Sequence, residues 1–175
     1  VVGFSVSCWK LATVELQIFH RKDASCEVQR FQSILAPLKL QPYLYTKRVI
    51  LSPTERSHSH PILTIHESHI DQSLLPAVFI HEQMHWRLAS DQEHAASILS
   101  AIKKTFLSSG KLDAVHVAVC RLEVRALQAI LGEAATKDVL SNAARNRKEY
   151  ELAFSNGELV DSCLLGLTPS NERDK

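Results

Sequence analysis

The chain has 175 residues, 45 % apolar and 22 % charged, with a formal net charge of +1. That length supports one domain with a real core and is short for two. The near-neutral charge argues against a dedicated nucleic-acid binder, which would carry a basic excess or stripe, and no run of about eighteen apolar residues marks a membrane span.

Further bounds come from short features. Arg145, Arg147 and Lys148 run straight into Glu149 and Glu151 and read as a solvated helix face. Cys8, Cys26, Cys120 and Cys163 form no C-x-x-C pair. They read as four thiols in a reducing compartment, which places the protein in the cytoplasm. The N-terminus lacks a basic and apolar leader. The chain begins at Val1 without Met and reads as a fragment or a processed form.

In chain order, the first third mixes apolar runs with turn signals. Val28, Phe31, Ile34 and Leu35 at helical spacing predict a helix over 24–36, stopped by Pro37. Residues 43–51, between Pro42 and Pro53, predict a strand, and 62–66 (ILTIH) a second one. Residues 57–61 between them read as loop. From 74 onward the chain turns helical. Asp71 or Ser73 caps a helix over 74–89 with Pro76 in its first turn. Helices follow over 92–107, ended by Ser108-Ser109-Gly110, and over 112–131, ended by Gly132. Further helical segments cover 133–154 until Ser155-Asn156-Gly157 breaks them. Strands first and helices afterward predict an α+β fold, a small mixed sheet with a mainly helical C-terminal part. One domain over 1–167 and a loose polar tail over 168–175 complete the expectation.

Residues 79–86 read FIHEQMHW and contain H-E-x-x-H. Four-residue spacing stacks His81 and His85 on one helix face. Two neutral imidazoles there can share one zinc ion. Glu82 sits about 100° around the helix, within reach of a water on that ion but outside its ligand shell. The apolar half-turn Ala77-Val78-Phe79-Ile80 carries the motif toward a buried region.

On these residues, and on the strand ILTIH before them, the chain resembles the zincin metallopeptidases. The resemblance implies zinc as cofactor, water as nucleophile, Glu82 as general base, and 62–66 as the edge strand that pairs with an extended peptide or protein substrate. Zincin subgroups differ in the third ligand. The metzincin continuation places Asp91 on its last slot but Leu88 on its glycine slot, and Leu does not make the left-handed turn cheaply. His94 is off that register. The gluzincin pattern takes a Glu from a later helix, and Glu123, in the apolar stretch HVAVCRLEVRAL, matches it. Where gluzincins carry N-E-x-x-x-D, this chain has Leu122 and Leu127. A salt bridge from Glu123 to Arg87, Arg121 or Arg125 is the alternative. His116, two turns earlier, reads as a core or supporting histidine, a ligand, or an oxyanion donor. Tyr150 is a second oxyanion donor or a core residue. Trp86 packs in the core or walls the cleft, and His58, His60, His66 and His69 read as loop histidines. A binding module without peptidase activity and hydrolysis of a non-protein amide are the rival functions. No nucleic-acid or membrane partner is expected.

Overall fold

The computed structural model describes residues 4–11, 14–21, 23–71, 73–106, 112–141 and 147–165. The tail over 168–175, the Ser108-Ser109-Gly110 stop and Arg145 lie outside them. The chain divides into two compact units, 1–86 and 87–175. The first holds a four-stranded sheet with helices, and the second is helical, so the fold class is α+β.

In the first unit, β1 (Phe4–Leu11) and β2 (Val14–Arg21) form an antiparallel hairpin running from Phe4 opposite Arg21 to Leu11 opposite Val14. Leu16, Ile18 and His20 of β2 are buried while Glu15 and Gln17 are exposed, the period-two alternation of a strand with one covered face. This hairpin was not expected from the sequence, although the alternation in VELQIFHR carries its signal. After α1 (Ser25–Leu35) come β3 (Arg48–Ser52) and β4 (Leu63–His66), each parallel to the strand before it, in the order β1-β2-β3-β4. Phe31 of α1 makes edge contacts with Trp9 of β1 (6.2 Å) and Phe79 of α2 (Leu75–Ala89) at 5.8 Å. This aromatic column seats the motif helix inside its own unit.

The strand expected over 43–51 is shorter. Gln41–Tyr43 is a 3-10 turn with Pro42 inside it, and the strand begins only at Arg48. The reason is local. The Tyr45 and Thr46 amides donate to the Gln83 side chain and not to a neighbouring strand.

In the second unit, α4 (Ala114–Leu131) packs with α3 (Gln92–Phe106), α5 (Glu133–Ser141), α6 (Arg147–Ser155) and α7 (Gly157–Cys163). Ten α4 residues from Ala114 to Leu127 are buried, on more than one face, which is why its sequence is apolar nearly all round. Asp113 caps its start through Val115 N, and Gly132 at φ +85° ends it. The short α7 was not expected. It starts at Gly157, where a Cβ would lie 2.6 Å from an Arg121 guanidinium nitrogen.

Candidate metal centre

Asp71 opens the motif helix: its Oδ1 accepts from Ser73 N at 2.8 Å and Leu74 N at 2.9 Å. Two turns later the four-residue spacing puts the His81 and His85 rings 5.1 Å apart, at 69° to each other. His81 is 8 % exposed and Glu82 4 %. Phe79, Ile80, Gln83 and Met84 are fully buried, and His85 is half-buried. A carboxylate placed at such depth is costly unless paired or bound to a cation. Gln83, inside the motif, was not singled out in the sequence. Its Oε1 accepts from Tyr45 N (2.8 Å) and Thr46 N (3.0 Å), and its Nε2 donates to Thr46 O (3.1 Å). It ties the motif turn to the segment leading into β3.

β4 ends the sheet order, as the resemblance implies for a substrate-pairing strand, but its outward backbone groups are engaged by its own chain. His58 and Thr64 exchange both backbone bonds, at 3.0 and 2.8 Å. His66 N donates to Ser57 Oγ at 2.9 Å, and that buried hydroxyl also bonds His69 Nδ1 at 2.9 Å. Trp86 pins the same segment: its Nε1 donates to Ser59 O at 2.6 Å, and its indole stacks on the His60 ring at 4.4 Å. Of the four histidines read as loop, His58 and His60 thus belong to a strap along β4, while His66 ends β4 and His69 lies in the 3-10 turn Glu67–His69. His66 Nε2 reaches Pro53 O at 3.0 Å.

In the second unit, Glu123 is fully buried, and Tyr150 Oη donates to its Oε2 at 2.6 Å. One turn before Glu123, the Cys120 thiol hydrogen-bonds the same phenol. Burial, and then the Glu123 charge, push both the Cys120 and Tyr150 protons to higher pKa, so both groups stay protonated. A phenol has one proton, and in this structure Tyr150 donates it to Glu123. Two of the salt-bridge partners considered for Glu123 pair elsewhere. Arg121 forks onto Asp161 of α7 at 2.9 and 2.5 Å, and Arg125 approaches Asp161 at 3.5 Å. His116 Nδ1 lies 2.6 Å from Asp113 Oδ2, at the start of α4. That carboxylate holds the proton on Nδ1.

Asp91 and His94 form the N-terminal cap of α3, with His94 N and Nδ1 both on the Asp91 carboxylate. Leu88 is buried in a helix that continues to Ala89. The metzincin turn is therefore absent there. All four cysteines are thiols, with Cys8 and Cys26 exposed and Cys120 buried. Among the described residues, no helix is long and apolar enough to cross a membrane.

The chain carries the zincin-like arrangement: H-E-x-x-H on a helix that follows a sheet, and a later Glu-bearing helix. Among the described residues, His81, His85, His116, Cys120 and Glu123 are the groups that could hold a metal ion. Comparison with protein-family models, curated proteins and solved structures returns no match.

Proposed function

We propose that this protein is a zinc metallopeptidase in which His81, His85 and Glu123 hold the ion and Glu82 is the general base. The observation that carries the reading is the buried motif turn of α2, with two adjacent imidazoles and a buried glutamate between them in sequence. Two imidazole nitrogens and one carboxylate oxygen are donors that zinc takes, and three protein ligands keep a fourth position open. Zinc bound there would supply a Lewis acid and lower the pKa of water to about 7. Glu82 takes the proton of the attacking water and passes it to the leaving amine. His116, with Nδ1 held by Asp113, is the proposed donor to the developing oxyanion, a role it fills as the imidazolium, with a second proton on Nε2. The substrate is an extended peptide, or a loop presented by a partner protein.

A second reading rests on Cys120, buried one turn before Glu123. Were its sulfur to join the other three ligands, the shell would be closed, as in structural zinc sites. The protein would then be a binding module without peptidase activity.

Zinc content of the wild-type chain and of Glu123→Ala, prepared in parallel, tests the proposal. About one zinc per wild-type chain and a large loss in the variant are expected for a three-ligand site. Equal zinc in both would move the third ligand away from Glu123. No zinc in either, after metal is offered back, would end the metalloenzyme reading.

A further inference from the structure

We infer that Tyr150 is a positioning residue for Glu123, holding one carboxylate oxygen so that the group meets a metal cation in a single orientation. The inference rests on the proposed role of Glu123 as a zinc ligand. It goes beyond that role because it names the group on another helix that makes the ligand usable.

The Tyr150–Glu123 bond joins α6 to α4 across 27 residues of sequence, at 2.6 Å, with Tyr150 8 % and Glu123 0 % exposed. Val119, Leu122, Val124 and Leu127 of the same helix are buried with Glu123. Packing alone gives no reason for a phenol and a carboxylate here. An apolar pair of similar shape fills such a place at equal or lower cost, since a buried charge is expensive to desolvate. What the pair adds is orientation. A glutamate side chain has three torsions and is poorly defined until something holds it. Carboxylates that ligate metals are themselves hydrogen-bonded, and loss of such a partner weakens metal affinity about 10- to 100-fold. Cys120, one turn before Glu123 on α4, is also within hydrogen-bonding reach of the phenol.

The test measures the zinc dissociation constant of the full chain by competition with a chromophoric chelator, for wild type and Tyr150→Phe. Cobalt(II) visible spectra are recorded on both. The expected result is zinc binding about 10- to 100-fold weaker in Tyr150→Phe, with altered cobalt d–d bands and a cooperative melt of the zinc-free variant. A packing defect alone would lower the melting temperature and leave the cobalt spectrum unchanged, and that result overturns the inference. Equal zinc affinity in the two proteins overturns it too, while leaving the metallopeptidase reading intact. A wild type that binds no zinc removes both. Should Tyr150→Phe fail to fold, 3-fluorotyrosine at position 150 keeps the ring and hydroxyl and changes only the acidity of the phenol. A shifted zinc dissociation constant is then expected, and an unchanged one counts against the role.

Discussion

Gln83 donates its side-chain amide to the carbonyl oxygen of Thr46 at 3.1 Å from inside the H-E-x-x-H turn. The same side chain accepts from two backbone amides, so one residue closes three bonds between α2 and the approach to β3. Gln83→Met keeps the volume and removes all three. A loss of about 2–4 kcal/mol of stability is expected, because buried backbone groups lose their partner. Urea denaturation measures it. A change within half a kcal/mol would mean that the bonds do not anchor the motif.

Glu82→Gln tests the base separately from the metal site. Gln cannot accept the water proton but has nearly the same shape. Peptide hydrolysis is expected to fall about a hundred- to ten-thousand-fold, with zinc content unchanged. Hydrolysis at the wild-type rate would exclude Glu82 as the base.

The strap along β4 gives a prediction that needs no substrate. Ser57 Oγ accepts from His66 N, while Thr64 N is held by His58 O. Ser57→Ala should cost about 1–3 kcal/mol and speed amide hydrogen exchange at His66, leaving Thr64 slow. An extended peptide can pair with β4 only by taking the place of His58. Peptide binding should therefore perturb the Thr64 amide signal. A peptide bound with that signal unmoved lies elsewhere.

Cys120 and Tyr150 make the zinc-free protein sensitive to alkali. Burial raises both in the folded state above their ordinary values of 9.0 and 10.0. The native chain thus keeps protons that the unfolded chain releases. Their contribution is complete below about pH 9 and is lost as pH rises further, each group at about 1.4 kcal/mol per pH unit once it ionises in the unfolded chain. Cys120→Ala should flatten the first part of that decline, measured as urea midpoints between pH 8 and 11. Parallel declines for the two proteins would show that the thiol is not the source.

By itself, the sequence determined the elements whose signal is local. Val28, Phe31 and Leu35 repeat at helical spacing and are the buried face of α1. His81 and His85 lie four apart and therefore share a helix face wherever that helix goes. Asp71 and Gly132 stand at the helix ends where their chemistry belongs. The α+β order follows from strand-like runs preceding helical ones. The tertiary structure decided which side chains meet. Tyr150 reaches Glu123 over 27 residues, Gln83 reaches Tyr45 over 38, and Arg121 reaches Asp161 over 40. It also laid Ser57 and His58 along β4, at a strand that sequence alone offered to a substrate. Periodicity constrains neighbours one turn or one pleat apart, because backbone geometry sets those distances. A side-chain bond between distant elements depends on how they pack, and no local pattern encodes that.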